Sequence, residues 1–179
     1  MIHHVSIPAH NPKHVAEVLA EVMGGRCVPF GPLEGAFMAT GSDGSMIEVY
    51  PDRATLDIPA NDDQVVFGEN RAPPQTWPFH ILLSVPLSRD EVERIGAREG
   101  WRAKTFGRGM QGHKPFFHVI EFWLENRLMI EVTPPDMTRE YEDFGKTAAT
   151  SMRNDPEAQR LMRATHVKDR RRMPSLREA

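Results

Sequence analysis

A single cysteine, Cys27, stands in a chain of 179 residues. That count excludes a disulfide framework and a cysteine-based zinc cluster. The chain also lacks an apolar run of the ~18 residues that a helical membrane span requires. Met1-Ile2-His3-His4 has no basic stretch and no long apolar segment follows, so no secretory leader is expected and the default compartment is the cytoplasm. No Ser-His-Asp constellation, phosphate loop or dinucleotide fingerprint is present.

What remains is an ordinary balance of 40% hydrophobic and 26% charged residues with a formal charge of −3. It excludes a membrane protein, a collagen and a wholly disordered chain, and the length suits one domain or two small fused modules. The charge is unevenly spread. Residues 1–137 hold 12 Lys/Arg against 18 Asp/Glu, whereas residues 138–179 hold 10 against 7 and include Lys168-Asp169-Arg170-Arg171-Arg172. Acids are mixed through this tail and no aromatics interleave with its bases, so a solvated, partly helical extension is expected rather than a nucleic-acid arm. Weak helical patterns lie at 140–152 and 156–167.

An internal repeat organises the first part of the chain. At a shift of 76 residues, His4-Val5-Ser6-Ile7 falls on His80-Ile81-Leu82-Leu83 and Gly24-Gly25-Arg26 on Gly100-Trp101-Arg102. At a shift of 83, Ile47-Glu48-Val49-Tyr50-Pro51 matches Ile130-Glu131-Val132-Thr133-Pro134; the seven extra residues fall in a glycine-rich loop at 107–116. Each copy reads strand, helix, then three strands. In the first copy, a strand at 4–8 precedes an Asn11 cap, a Pro12 start and apolar Val15, Val18, Leu19 and Val22 on one helical face. Strands follow at 26–30, 36–40 and 45–50. The second copy has a strand at 79–85, a Ser88/Glu91 capping box, and strands at 101–106, 117–124 and 127–133 with a turn at Glu125-Asn126. The organisation expected is a first βαβββ module at 1–51, a proline-rich connector at 52–78, a second module at 79–135 and a charged extension at 136–179.

Side chains alternate between the two faces of a strand. If Val5, Ile7, Ile47 and Val49 lie beneath the first helix, His4 and Glu48 occupy the opposite face. By the same count Ile81, Leu83, Ile130 and Val132 lie beneath the second helix and leave His80 and Glu131 opposite. Each module thus delivers one His and one Glu to equivalent places. Imidazole nitrogen and carboxylate oxygen suit Zn, Ni, Co, Mn or Fe, with positions left open for water or substrate. Taken singly, each of these residues reads first as a hydrogen-bonded strand histidine or a solvated glutamate; together, at repeat-equivalent positions, they read first as a ligand set. Tyr50, Met46, Met129 and Thr133 are expected to line the pocket walls. His113 and Lys114 sit in the loop that would close over it, and His10, His14 and His166 read as surface residues.

The pattern resembles the vicinal oxygen chelate superfamily, which includes glyoxalase I, bleomycin-resistance proteins and extradiol dioxygenases. Its carriers are His4-Val5, Ser45-Met46-Ile47-Glu48-Val49-Tyr50, Phe79-His80-Ile81 and Leu128-Met129-Ile130-Glu131-Val132, so the resemblance covers about residues 2–135. It implies an α+β fold in which two tandem βαβββ modules form a curved mixed sheet, a partial barrel, around a cleft. Carried over residue by residue, the superfamily's metal ligands fall on His4, Glu48, His80 and Glu131, a set similar to that of glyoxalase I. The chemistry implied is a divalent metal stabilising an enolate of a small oxygenated metabolite, in an isomerase, epimerase or lyase reaction, with Glu131 or Glu48 as the catalytic base. The rival is a non-catalytic binding or resistance protein that uses the same cleft; a third reading is an Fe(II) dioxygenase. The partners expected are a small molecule and, with the tail covering an interface or wrapping its own core, a second copy in a homodimer; no nucleic acid and no membrane are expected.

Overall fold

The computed structural model describes residues 2–60, 64–109 and 114–154. β1 (His4–Ala9) leads through Asn11 into α1 (Pro12–Val22), followed by β2 (Arg26–Pro29), β3 (Phe37–Thr40) and β4 (Met46–Pro51). The Asn11 side chain accepts from the His14 amide and Pro12 occupies the first turn, so this helix starts where the sequence places it. It ends at a tight reversal where Gly24 has φ of 63°. Gly25 is required there for another reason: a Cβ would lie 1.6 Å from the Thr40 carbonyl oxygen.

The four strands form a sheet in the order β1-β4-β3-β2, with β1 parallel to β4 and the other pairs antiparallel. A second sheet repeats this arrangement. β7 (Leu82–Ser84), α2 (Arg89–Glu99), β8 (Ala103–Arg108), β9 (Phe117–Leu124) and β10 (Leu128–Thr133) give the order β7-β10-β9-β8. The α+β architecture of two βαβββ units in tandem is therefore the one expected. Neither sheet closes into a barrel among the described residues.

One continuous core lies beneath both helices. It joins Val15, Leu19 and Val22 of α1 to Val92 and Ile95 of α2 and to Ile47, Val49, Phe122, Ile130 and Val132 of the two sheets. Removing these side chains from water supplies the main driving force for docking the helices on the sheets. Across the junction, Arg98 donates two hydrogen bonds to Glu21 (2.7 and 2.9 Å), and His14 contacts Glu99 at 2.7 Å. Glu125, in the β9–β10 turn, accepts from the His10 and Asn11 amides at 2.7 Å each, so a carboxylate from the second unit caps the first unit's helix. Glu125 and Asn126 have φ of 51° and 54°, the left-handed pair of a two-residue hairpin turn.

Several boundaries differ from the sequence reading. β7 begins at Leu82 rather than at residue 79, which leaves His80 ahead of the strand. Pro78 supplies no donor there, and pairing with β10 starts at the Ile81 carbonyl, which accepts from the Glu131 amide at 2.8 Å. β8 runs two residues further than expected, because Gly107 and Arg108 continue the ladder opposite His118 and Phe117. The connector is not structureless: β5 (Ala54–Asp57) and β6 (Val66–Glu69) pair as an antiparallel hairpin. The C-terminal helix, α3 (Pro135–Asn154), starts five residues earlier than its periodicity suggested. Met137, Tyr141 and Phe144 recur at helical spacing; Met137 is buried in the core, and the two rings pack on Phe117. The second expected helix, at 156–167, lies outside the described residues.

Candidate functional site

Strand register decides which side chains meet on the face of the first sheet turned away from α1. Ser6 stands opposite Glu48 and His4 opposite Met46, so His4, Ser6, Met46, Glu48 and Tyr50 share that face, while Ile7, Ile47 and Val49 are buried beneath the helix. Glu48 is 9% exposed although it is a carboxylate. Burial of such a group requires donors, and two hydroxyls provide them: Ser6 Oγ and Tyr50 Oη each donate to Glu48 Oε2 at 2.8 Å. The other oxygen, Oε1, has His4 Nε2 at 3.8 Å. That separation is beyond hydrogen-bond length, so Oε1 accepts no hydrogen bond among the described residues. Burial, reinforced by the bond to Glu48, raises the Tyr50 phenol above its ordinary pKa. Phe30 and Phe67 pack against the Tyr50 ring, and Phe67 comes from the connector hairpin.

The corresponding face of the second sheet carries a different arrangement. Glu131 stands directly opposite Glu121 in the antiparallel β10–β9 pair, which would set two carboxylates side by side. Arg108 resolves the repulsion. Its Nε and Nη2 donate to Glu131 Oε1 at 2.9 and 2.6 Å, and Nη2 also donates to Glu121 Oε1 at 2.9 Å. Desolvation works against the guanidinium's charge, but the bonds to Glu131 and Glu121 outweigh it and hold its pKa above the ordinary value.

The four residues expected to hold a metal are thus treated unequally. His4 and Glu48 are neighbours, Glu131 is engaged by Arg108, and His80 is solvent-exposed ahead of its strand. Among the described residues, no three His, Cys, Asp or Glu side chains are placed to hold one ion. As arranged in a single chain, the donor set does not fit a four-ligand centre. The face contains instead a buried carboxylate with one free oxygen and, on the other sheet, a cation supplied by the protein itself.

Thr133, expected in the pocket wall, is fully buried: Thr138 of α3 donates to its hydroxyl and carbonyl, and Ser84 lies at 3.3 Å. His14 is engaged with Glu99 and packs edge-on against Trp101, so it is more than a surface residue. His118 contacts Glu140 of α3 at 2.8 Å. Lys114 is exposed, and His113 and His166 lie outside the described residues. Arg108 was missed because Gly107 made this stretch read as loop. The signal available was the alternation of Lys104, Phe106 and Arg108 continuing along one face.

No family model matches the sequence, and no curated protein is similar to it by sequence. Solved structures with a similar chain path include a lactoylglutathione lyase from Agrobacterium tumefaciens, at 14% identity over 76% of this chain and 94% of that one, with a TM-score of 0.49. A glyoxylase/bleomycin resistance protein/dioxygenase domain from a Frankia species is also 14% identical, over 75% of this chain and 96% of its own, with a TM-score of 0.48. A glyoxalase/bleomycin resistance protein/dioxygenase from Alicyclobacillus acidocaldarius is 13% identical over 74% and 89%, with a TM-score of 0.41. These likenesses concern the path of the backbone; the fold itself rests on the strand order and register described above. No helix among the described residues is long and apolar enough to cross a membrane.

Proposed function

We propose that the protein binds a small molecule on the sheet faces that carry Glu48 and the Arg108–Glu131 pair, and that it does so without a bound metal. The carrying observation is the division of labour between the two faces. Arg108 occupies the carboxylates of the second sheet, whereas Glu48 keeps one oxygen free beside His4. A buried carboxylate with its second oxygen already held by Ser6 and Tyr50 is oriented in advance, so a ligand donor meets it without further ordering. A site of this kind orients a ligand through a few fixed polar groups set among apolar walls. Protein passed through a metabolite extract and then gel-filtered should retain a small molecule detectable by mass spectrometry. Glu48→Gln should lose it.

The metal-dependent lyase or isomerase reading keeps one observation in its favour. His4 Nε2 and Glu48 Oε1 approach to 3.8 Å with no hydrogen bond between them, a placement two ligands of one ion can share. In that reading His4, Glu48, His80 and Glu131 are the ligands and Glu131 or Glu48 the base, and completing the set requires Arg108 to leave Glu131. Elemental analysis of protein purified without a histidine tag separates the two. Stoichiometric Zn, Ni, Co, Mn or Fe that is lost in both His4→Ala and Glu131→Gln would overturn the metal-free proposal.

A further inference from the structure

β1 and β7 each form one edge of their sheet, and a crevice of about 150 Å³ lies between them. Its wall is largely apolar, with Val5 and Met46 on one side, Ile81 and Leu82 on the other and Met23 from the end of α1; His3, His4 and Ser45 supply its polar part. His4 belongs to this wall and also stands beside Glu48, so the crevice and the free carboxylate oxygen share one side chain. A cavity of this size holds a body about as large as benzene.

A larger groove of about 690 Å³ lies at the other end of the junction, lined by His10, Asp52, Glu99, Glu125 and Arg127 among others. Its carboxylates are already committed. Asp52 accepts from Arg127 at 2.7 Å, Glu125 from two backbone amides, and Glu99 from Arg98 with His14 alongside. Glu48 differs from all of these, and from Glu131, in having no arginine or lysine against it among the described residues.

We infer that the crevice between β1 and β7 seats the apolar body of a compact primary amine whose ammonium group reaches Glu48 Oε1. The inference rests on the ligand-binding reading above and adds the chemical class of the ligand. An ammonium supplies both the missing positive charge and a hydrogen-bond donor for the open oxygen. The ring or short alkyl chain fills a space that water, with few polar partners there, occupies poorly. Selectivity then has two parts: charge at the Glu48 end and size at the seam.

Methyl NMR on protein labelled at its methionines tests this without altering the site, with benzylamine, benzoate and ethanolamine as probes. Benzylamine should shift the Met23 and Met46 methyl signals saturably. Benzoate reverses the charge and ethanolamine lacks the apolar body, so each should bind at least about tenfold more weakly. Leu82→Trp should weaken benzylamine by a similar factor. Ile2→Trp, at a position 80% exposed, should do so from the mouth of the crevice without disturbing the core. Benzylamine binding that is lost in Glu48→Gln but never moves Met23 or Met46 would overturn the crevice while leaving the Glu48 reading intact. Retention of an extract metabolite through Glu48, with no response to benzylamine, would do the same. Failure of every probe and of metabolite retention would remove both.

Discussion

Arg108 donates two hydrogen bonds to a single oxygen of Glu131, through Nε at 2.9 Å and Nη2 at 2.6 Å. The same guanidinium reaches Glu121, so it sets a positive charge between two cross-strand carboxylates that would otherwise repel. Replacing it by methionine leaves both acids partly buried and uncompensated. Breaking fully buried pairs destabilises by several kcal/mol. With the arginine side chain 30% exposed, solvent screening reduces this to about 1–2 kcal/mol. Urea unfolding of Arg108→Met measures the loss, and an unchanged midpoint would show the ion pairs to be incidental.

Tyr50 reports on Glu48. The phenol titrates above its ordinary value because it is buried and because its proton is held by the carboxylate. The chain has two tyrosines, Tyr50 and Tyr141. In a Tyr141→Phe background, ultraviolet titration should place the Tyr50 transition above the ordinary tyrosine value near 10, and Glu48→Gln should lower it. A folded-state pKa raised above the unfolded value means that the folded form keeps a proton the unfolded form has lost. Stability from this group is complete below the unfolded pKa near 10 and falls as pH rises through the folded value. Tyr50→Phe should abolish that alkaline loss and, by removing one donor, cost about 1 kcal/mol at neutral pH.

On the acid side the helix junction should respond. The bond from Arg98 lowers the Glu21 pKa. Burial alone would raise Glu99, but Arg98 and His14 together bring it below the ordinary value. Carboxylates depressed in the folded state stabilise it above their unfolded pKa and cease to do so as pH falls through the folded one. Urea midpoints should therefore fall between about pH 5 and pH 3, and Arg98→Met should flatten that dependence. An identical acid profile for the variant would place the sensitivity elsewhere.

Gly25→Ala probes the first helix–strand junction. The added methyl would meet the Thr40 carbonyl at 1.6 Å, a backbone atom that cannot rotate away. The expected loss exceeds the ~1 kcal/mol typical of glycine replacement at a merely left-handed position. Gly44→Ala, at a φ of 85° with open space around it, provides that comparison. Equal thermal unfolding temperatures for the two variants would contradict the steric argument.

The sequence made the repeat and the strand parity legible because both are written in short-range pattern. Ile7, Ile47 and Val49 fall beneath α1 and Ile130 and Val132 beneath α2, as alternation requires, and that placed Glu48 and Glu131 on the opposite faces. What alternation cannot convey is how long side chains are spent. Arg108 reaches Glu131 across 23 positions in sequence, from a strand whose end was hidden by Gly107. The hairpin β5–β6 was obscured for a related reason, since its pairing partners lie on either side of a polar stretch with no tight-turn dipeptide. The early start of α3 depends on Met137, Tyr141 and Phe144 finding Phe117 and the core, contacts that local periodicity does not contain.

The carboxylate of Glu125 has a consequence for how the chain can be divided. It lies in the β9–β10 turn yet terminates the exposed amides of His10 and Asn11 at the head of α1. A fragment ending within the connector would leave that helix without its anionic cap and would remove Val92 and Ile95 of α2 from the core that Val15, Leu19 and Val22 share with them. The two repeats, although alike in plan, should melt in one transition, and each half expressed alone should remain unfolded until the other is supplied.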